Sequence, residues 1–371
     1  MWHAAVTAGN QKLVKALADF SDLDLHLLIP QRWDESTTIV DAELPPNSNF
    51  KVIIDDVKNP FKGLKYYFKN AGRILNQVRP DVILAYEEPY SYSAGQLLFL
   101  KQRNCPKARF AFYTWQNINC RYSLKQKLIE RYVFRHSDLA IAGVQEVKDV
   151  LLERGFSGPI AIAPLGQAPE DFPIIDSSQI RNELGLTEFT IGFVGRPAVE
   201  KGVTDLFDAL AMIKDRPYQV LFVGSGREEA ILRKHAVDLG IMDRIVWVQS
   251  VENRLVHRYL QAMDVVAVPS RTTKDWKEQF GRVPVEAMIC RVPVIVSDSA
   301  ELPRTIGDAG LVARECDPSD LKDKIVLLMD SAELRSDLAK RGYEHVMHNY
   351  TWKTIAGKIH DALIEVCRGK R

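Results

Sequence analysis

Short apolar runs alternate with amphipathic stretches of helical periodicity along the whole chain, and this alternation constrains the fold more than any other feature. The runs are rich in β-branched residues and nearly continuous, which is typical of strands buried on both faces of a parallel sheet. Strands that alternate with helices predict an α/β fold with parallel sheets. The predicted strands cover residues 25–29, 51–54, 81–85, 109–113, 139–142, 160–163, 189–194, 219–223, 244–248, 265–268 and 293–296.

A proline-rich segment interrupts this alternation. Residues 164–176 contain Pro164, Pro169 and Pro173 together with Gly166, a composition that favours a linker over a helix or strand. The length of 371 residues also suggests two domains, at roughly 150 residues per domain. We therefore expect two doubly wound domains, 1–170 and 175–349, followed by a helix over 351–366.

Composition and charge exclude several classes of protein. The chain is 46% hydrophobic and 26% charged, unlike disordered or fibrous chains. A net charge of +1 argues against nucleic acid as a partner. Five cysteines without a CxxC pair argue against a disulfide framework and a zinc site, and are typical of a reducing compartment. The sequence contains no apolar run of about 18 residues, the length that would predict a membrane span. We expect a cytoplasmic protein.

The segment IGFVGRPAVEKG, residues 191–202, predicts an anion site. A predicted strand ends just before Gly195, and a helix begins a few residues later. Ligands of open α/β sheets bind at the carboxyl ends of strands, where backbone N–H groups and the helix dipole favour negative charge. Arg196 and Lys201 flank this turn, and two cations there suit a diphosphate. The alternative is a solvated loop with surface charges.

The segment LFVGSGREE, residues 221–229, is a second turn between a strand and a helix. It contains Gly224 and Gly226, but Glu229 stands where a GxGxxG fingerprint requires its third glycine. A tight turn of small residues is therefore an equally good interpretation. The missing fingerprint also disfavours a nicotinamide-dependent Rossmann enzyme.

The segment KEQFGRVPVEAM, residues 277–288, predicts a pocket with two carboxylates. Pro284 favours a helix that begins around residue 283, with Glu278 in the loop before it and Glu286 near its start. Two converging carboxylates can accept hydrogen bonds from sugar hydroxyls, and Gly281 lets the backbone approach a ligand closely. Paired glutamates are usually surface charges, so this spacing is informative mainly together with the Arg196 and Lys201 turn.

These motifs together resemble the retaining glycosyltransferases of family 4, which have the GT-B fold. Arg196, Lys201 and Gly202 match the GR-x4-KG diphosphate loop of that family, and Glu278 and Glu286 match its E-x7-E motif. The resemblance implies two Rossmann-like domains that face a central cleft: an acceptor domain over 1–170 and a donor domain over 175–349. It also implies that the final helix, within 350–371, crosses back onto the first domain.

The resemblance further implies a role for each motif residue. Glu286 would bind the donor ribose and Glu278 a hydroxyl of the transferred sugar, while Arg196 and Lys201 would stabilise the departing diphosphate. The remaining residues implied on the donor side are Gly195, Gly224, Gly226, Phe280, Gly281, Arg282 and Val283.

The implied reaction moves a sugar, with retention, from a UDP- or GDP-linked donor to a glycan or lipid-linked acceptor in cell-surface polysaccharide or glycolipid synthesis. No metal and no cofactor are implied. A sugar-nucleotide epimerase of the same fold and a non-catalytic sugar-nucleotide-binding protein are the alternatives.

The first half departs from the commoner family pattern on the acceptor side. Many members place a histidine in the loop after the fourth strand, whereas residues 114–117 read Thr-Trp-Gln-Asn here. We expect Trp115 and Asn117 of this loop, and Glu88 of the loop 87–90, to lie on the acceptor side. Gly9 and Asn10, in the loop before a predicted helix over 10–20, are assigned there as well.

Positive charge is concentrated in the first half, where residues 51–140 contain 16 Lys and Arg against 7 Asp and Glu. Within it, residues 61–78 predict a helix with an apolar stripe formed by Phe61, Leu64, Phe68, Ala71, Leu75 and Val78. A helix with a basic second face suits peripheral binding to an anionic membrane, here at the inner face of the cell membrane. The alternative is a core-packed helix with a solvated basic face.

The N-terminal segment is short for this pattern. Related chains open with a buried strand, and only residues 1–7 precede the loop 8–10. We expect either that the natural start lies upstream, or that residues 2–6 form a short substitute for that strand.

Overall fold

The computed structural model describes residues 2–35, 38–45, 48–59 and 63–369. The chain folds into two compact units, of which one comprises Met1–Gly166 with Trp352–Arg371 and the other Gln167–Thr351. The boundary between Gly166 and Gln167 falls within the linker predicted over residues 164–176. A side chain at Gly166 would meet the indole of Trp352 at 2.4 Å, so the two ends of the first unit meet closely at a residue without a Cβ.

The first unit contains parallel strands alternating with helices. Its strands are β1 (His26–Pro30), β2 (Arg32–Glu35), β3 (Thr38–Asp41), β4 (Lys51–Asp55), β5 (Val57–Lys58), β6 (Tyr67–Phe68), β7 (Val82–Ala85), β8 (Arg109–Thr114), β9 (Leu139–Ala142) and β10 (Ile160–Ile162). Its helices before the linker are α1 (Lys12–Ala18), α2 (Ala71–Val78), α3 (Tyr92–Asn104), α4 (Leu124–His136) and α5 (Gln145–Glu153).

Two parallel sheets form the frame of this unit. Strands β7, β8, β9 and β10 are neighbours in that order, and β1 pairs with β4. All six strands predicted in the first half are present. The antiparallel pairs β2–β3 and β5–β6 were not predicted, because their strands are short and lack a continuous apolar run.

The predicted helix over 61–78 is wrong as a single element. Phe61 and Lys62 lie outside the described residues, while residues 63–78 include a 3-10 helix at Gly63–Lys65, strand β6 and helix α2. The stripe residues Phe68, Ala71 and Leu75 are buried in the core of the first unit. The apolar stripe is therefore used for internal packing, as the alternative interpretation held.

The N-terminal residues form no substitute strand. His3–Val6 and Ala8–Gln11 are 3-10 helices, and α1 begins at Lys12. The N–H of Trp2 donates to the carbonyl of Leu28 at 3.3 Å, and Ala5 packs in one buried cluster with Leu27 and Ile29 of β1. Residues 2–6 are therefore not a strand, although Ala5 and Val6 are completely buried. That they substitute for the missing strand, or that the natural start lies upstream, stays a prediction.

The second unit is a single parallel sheet with helices on both faces. In chain order its elements are α6 (Ser178–Glu183), β11 (Thr190–Val194), α7 (Val203–Ala211), β12 (Gln219–Val223), α8 (Glu229–Asp238), β13 (Ile245–Val248), α9 (Val256–Leu260), β14 (Val265–Val268), α10 (Arg282–Ile289), β15 (Val294–Ser297), α11 (Leu302–Ile306), β16 (Leu311–Ala313), α12 (Pro318–Asp330) and α13 (Ala332–Asn349). The strand order is β13-β12-β11-β14-β15-β16. All five strands predicted here are present, and β16 was missed.

The last helix, α14 (Trp352–Arg368), belongs to the first unit. Its residues Ile355, Ala356 and Ile359 are completely buried, in one apolar cluster with Leu13 and Leu17 of α1. The chain therefore returns to its first unit after completing the second, as the resemblance implied.

Candidate active site

The order of strands in the second unit fixes where a ligand binds. Successive strands run outwards from β11 through β12 to β13, and the chain then returns to the other side of β11 to form β14. At such a reversal of strand order, ligands of open α/β sheets bind outside the carboxyl ends of the two strands, here β11 and β14. The motif around Arg196 and Lys201 follows β11, and the motif around Glu278 follows β14.

Glycines allow the loops after β11 and β12 to touch. The backbones of Gly195 and Gly224 have φ of 147° and 151°, a region that favours glycine. A Cβ at Gly224 would lie 2.0 Å from the carbonyl oxygen of Gly195. A Cβ at Gly226 would lie 3.0 Å from Pro197. The tight-turn interpretation of residues 221–229 thus accounts for these glycines, and their role towards a nucleotide stays a prediction.

The loops after β11 and β14 also contact each other directly. Gly202 has a φ of +63°, and a Cβ there would lie 1.8 Å from the carbonyl oxygen of Pro269. The N–H of Arg271 donates to the carbonyl of Glu200 at 2.8 Å, and its guanidinium binds the carboxylate of Asp205 on α7. Arg271, which was not predicted as a site residue, thus connects the loop after β14 to the loop after β11 and to α7.

Lys201 and Glu278 form an ion pair across the reversal point, with 2.6 Å between Nζ and Oε2. Their side chains are 25% and 14% exposed. The hydroxyl of Ser270, a completely buried residue just after β14, donates to the same carboxylate oxygen at 3.3 Å. The ammonium of Lys201 also lies 4.7 Å from the ring centre of Trp276. The two motifs, 77 residues apart in sequence, therefore meet at one point.

Trp276 and Ser270 were not identified as site residues from the sequence. Trp276 lies two positions before Glu278, and Ser270 lies two positions after β14. The signal that could have found them is their position in a loop at the carboxyl end of a predicted strand.

Arg196 occupies a more open position than Lys201. Its side chain is 68% exposed and lies 3.1 Å from Glu200, four residues later. An exposed pair of this kind contributes little to stability, so Arg196 can exchange Glu200 for an anionic ligand at small cost.

The segment before α10 is shaped by its backbone. Phe280 is buried against Tyr350, and its carbonyl accepts a hydrogen bond from the hydroxyl of Thr305 at 2.6 Å. Gly281 has a φ of +77°, and a Cβ there would lie 2.5 Å from Leu302. The helix begins at Arg282, one residue earlier than predicted, with Val283 as its second residue.

Glu286 is buried within α10, and its side chain is 10% exposed. Burial raises the pKa of this carboxyl, while the guanidinium of Arg282 at 3.2 Å partly opposes the rise. A buried carboxylate with one exposed cationic partner retains capacity to accept hydrogen bonds from a ligand.

In the first unit, two of the predicted acceptor residues, Glu88 and Trp115, contact each other. The carboxylate of Glu88 accepts hydrogen bonds from the Thr114 hydroxyl and from the N–H of Trp115 at 2.9 Å. The indole of Trp115 packs on Gly143, where a Cβ would lie 2.5 Å from the ring, and donates to Tyr86 at 3.0 Å. These contacts hold the loops after β7 and β8 together.

The other predicted acceptor residues lie in separate places of this unit. Asn117 is buried, and its amide lies 3.4 Å from the carboxylate of Glu146. Asn10 donates to the carbonyl of Ala4 at 2.7 Å, and Gly9 is exposed with space around its Cα. A role on an acceptor stays a prediction for all five residues.

A histidine does reach this group of loops, from an unexpected part of the sequence. His3 lies 2.6 Å from the buried carboxylate of Glu87, which also accepts hydrogen bonds from the hydroxyls of Tyr66 and Ser93. Burial lowers the pKa of His3, but the charge and hydrogen bond of Glu87 outweigh it and raise the pKa overall. This histidine was not predicted, because the family pattern places a histidine in the loop that corresponds to residues 114–117.

Within the described ranges, no group of three or more His, Cys, Asp or Glu side chains is placed to hold a metal ion. In the same part of the chain, no helix has the length and apolar character needed to cross a membrane.

Comparison with known proteins finds similarity to one family in the second unit. Residues 176–345 match the family described as Glycosyl transferases group 1. The chain is 32% identical over 195 residues to a GDP-mannose-dependent monoacylated alpha-(1-6)-phosphatidylinositol monomannoside mannosyltransferase of Corynebacterium glutamicum, covering 51% of each chain. It is 26% identical over 360 residues to an uncharacterized glycosyltransferase of Methanocaldococcus jannaschii, covering 94% of this chain and 91% of that protein.

A third relative is the D-inositol 3-phosphate glycosyltransferase of Corynebacterium jeikeium, 30% identical over 255 residues, with 63% of this chain and 59% of that protein covered. The chain thus spans little more than half the length of two of these three curated relatives.

Solved structures share the fold over nearly the whole chain. A glycosyltransferase from Rickettsia africae superposes with a TM-score of 0.77 at 16% identity, covering 100% of this chain and 98% of that one. HepE of Anabaena, in complex with UDP, gives a TM-score of 0.74 at 18% identity, covering 97% and 96%. The predicted GT-B fold and the resemblance to group 1 glycosyltransferases are confirmed. Membership of family 4 in particular stays a prediction.

Proposed function

We propose that this chain, which carries a domain of the glycosyl transferases group 1 family over residues 176–345, transfers a sugar from a nucleoside-diphosphate sugar to a glycan or lipid-linked acceptor with retention of anomeric configuration. The observation that carries the proposal is the Lys201–Glu278 pair at the strand reversal. A sugar nucleotide suits both partners, because its diphosphate carries oxyanions that can bind the ammonium and its sugar carries hydroxyls that can donate to the carboxylate.

The charge of the leaving group determines what the loop after β11 does. As the bond between the anomeric carbon and the diphosphate oxygen breaks, the bonding electrons leave with the diphosphate. Lys201 and Arg196 stabilise this developing charge, which is electrostatic catalysis by prepositioned cations. The new bond forms to the acceptor oxygen on the same face, and the acceptor proton passes to the departing diphosphate oxygen. This sequence requires no base from the protein.

The carboxylates position the donor. Glu278 accepts a hydrogen bond from a hydroxyl of the transferred sugar, and the buried Glu286 accepts from the ribose. The names of two similar proteins support both candidate bases, since one relative is GDP-mannose-dependent and one solved structure contains UDP. The relative named for a phosphatidylinositol monomannoside supports a lipid-linked acceptor.

A thermal-shift panel with UDP, GDP and NAD, followed by product analysis, tests the proposal. We expect stabilisation by one nucleoside diphosphate and none by NAD. Donor sugars with the stabilising base are then incubated with acceptors, and the anomeric configuration of the product is read by NMR. Lys201→Ala serves as the matched inactive variant.

Three outcomes contradict the proposal. An inverted anomeric product removes the retaining mechanism. Conversion of the donor sugar to its epimer without an acceptor indicates the epimerase. Binding of the diphosphate without turnover of any donor indicates a non-catalytic binding protein.

A further inference from the structure

The ring of Trp276 lies against a positive charge at the centre of the site. The Nζ of Lys201 is 4.7 Å from the ring centre, and the tryptophan is half-buried. The same Nζ lies 2.6 Å from Oε2 of Glu278. Of the aromatic side chains, an indole attracts a cation over its face most strongly. The ammonium of Lys201 therefore has one ionic and one aromatic contact.

The loop after β14 holds Trp276 in a closed turn. The N–H of Thr273 donates to the carbonyl of Trp276 at 2.8 Å, and the N–H of Trp276 donates to the hydroxyl oxygen of Thr273 at 3.0 Å. One residue earlier, the N–H of Thr272 donates to the carboxylate of Glu315 at 2.9 Å, and its hydroxyl oxygen lies 2.9 Å from that of Ser299. The backbone that carries the indole is therefore held by contacts outside the ion pair.

The two contacts of Lys201 respond differently when a donor binds. In the proposed reaction the carboxylate of Glu278 turns to a sugar hydroxyl, which weakens its bond to the ammonium. The indole stays in place, because its turn is closed by other hydrogen bonds. A lysine side chain is flexible and loses much rotamer freedom when its ammonium is fixed. An aromatic contact that persists through binding lowers the cost of holding this ammonium on the diphosphate.

We propose that Trp276 is a positioning residue for Lys201. Its indole holds the ammonium on the departing diphosphate while Glu278 binds the transferred sugar. This role rests on the proposed sugar transfer and adds to that site a residue that forms no bond to the substrate. Because the ammonium binds the charge that is greatest after the sugar has left, the role affects both the affinity for nucleoside diphosphate and kcat.

Filling space is the other role open to a half-buried tryptophan, and a leucine would fill space nearly as well as a phenylalanine. Leucine has no aromatic face, whereas phenylalanine keeps one that attracts a cation less strongly than indole. Trp276→Leu and Trp276→Phe therefore differ if the ring acts on Lys201, and they resemble each other if the ring only fills space.

Isothermal titration calorimetry of the full chain with UDP and with GDP measures the affinity, and initial rates at saturating donor measure kcat. We expect Trp276→Leu to lower both by about tenfold, the size of a partly desolvated contact between a cation and a ring. Trp276→Phe should lower them by no more than about threefold. Lys274→Ala, at an exposed position of the same turn, is the control and should behave as the wild type.

A double-mutant cycle shows whether Trp276 acts through Lys201. Lys201→Met keeps an unbranched apolar side chain and removes the ammonium. In that background, Trp276→Leu should change the affinity for nucleoside diphosphate by less than about twofold, because no charge is left to hold. A purely structural role would give the same loss in both backgrounds.

Three results overturn the proposal: an unchanged affinity in Trp276→Leu, equal losses in Trp276→Leu and Trp276→Phe, or an undiminished effect of Trp276→Leu in the Lys201→Met background. Melting temperatures show whether each variant folds, and Trp276→Met replaces Trp276→Leu if the latter does not. A wild-type chain that binds neither UDP nor GDP contradicts the proposed function itself, and this role with it. Failure of the proposed function is thus distinguishable from failure of this role alone.

Discussion

Lys201 and Arg196 share a loop but differ in their surroundings. Lys201 is held between Glu278 and the ring of Trp276, whereas the side chain of Arg196 is 68% exposed beside Glu200. We expect Lys201→Ala and Arg196→Ala each to lower turnover by roughly 10²–10³-fold, as when one donor to a transition-state oxyanion is removed. Turnover at saturating donor measures the effect, with Lys214→Ala as an exposed control in the same unit.

Both variants should keep their melting temperature within a few degrees, since neither side chain is part of the core. Near-wild-type turnover in either variant would remove that residue from the diphosphate site.

Glu278 and Glu286 differ in what they contact, and this difference predicts different kinetic phenotypes. Glu278 pairs with Lys201 at the reversal point, and Glu286 is buried in α10 beside Arg282. We expect Glu286→Gln mainly to raise the donor KM, because a ribose contact serves ground state and transition state alike. Glu278→Gln should also lower kcat, because its sugar hydroxyl belongs to the reacting ring. Donor titrations of both variants measure the split, and identical phenotypes would contradict the separate roles.

At the scale of elements, one carboxyl joins the loops after β7 and β8. Burial raises the pKa of Glu88 to about 7, although its hydrogen bonds from Thr114 and Trp115 oppose the rise. Between the usual carboxyl pKa and about pH 7, Glu88 is therefore protonated in the folded chain and ionised in the unfolded chain. The free energy of unfolding therefore decreases as pH rises through this window. Glu88→Gln should lack this decrease.

Urea unfolding of the wild type and of Glu88→Gln, between about pH 5 and about pH 8, measures the difference. His3→Gln is the necessary control, because a raised histidine pKa also contributes stability that is lost as pH rises through the folded value. Parallel pH curves for wild type and Glu88→Gln would show that Glu88 does not titrate in this window.

At the scale of the whole molecule, the chain's last helix stabilises its first unit. Ile359 of α14 is completely buried among residues of α1, β8 and β9. We expect Ile359→Ala to lower the free energy of unfolding of the first unit by about 2–5 kcal/mol, the usual cost of such a core truncation. Ile325→Ala, at a completely buried position of α12, should instead affect the second unit.

Differential scanning calorimetry of both variants, with the exposed Lys353→Ala as control, checks this assignment. If Ile359→Ala shifts the same transition as Ile325→Ala, α14 does not stabilise the first unit separately.

The sequence by itself determined the α/β class, all eleven predicted strands and the two motif loops after β11 and β14. Buried parallel strands are apolar on both faces, so their runs can be recognised without knowledge of their partners. The same reasoning missed β2, β3, β5, β6 and β16, which are short. It also misjudged residues 61–78, because an apolar period does not reveal that strand β6 interrupts a helix.

Only the tertiary structure decided which side chains meet. Lys201 and Glu278 meet because the chain returns from β13, at one edge of the sheet, to form β14 next to β11. The residues of neither motif determine this change in strand order. His3 reaches Glu87 across 84 positions of sequence, and the exposed leucines of α4 are distinguishable from core leucines only once the packing is known. Local patterns fix elements because they depend on near neighbours, whereas contacts between distant residues depend on the whole path of the chain.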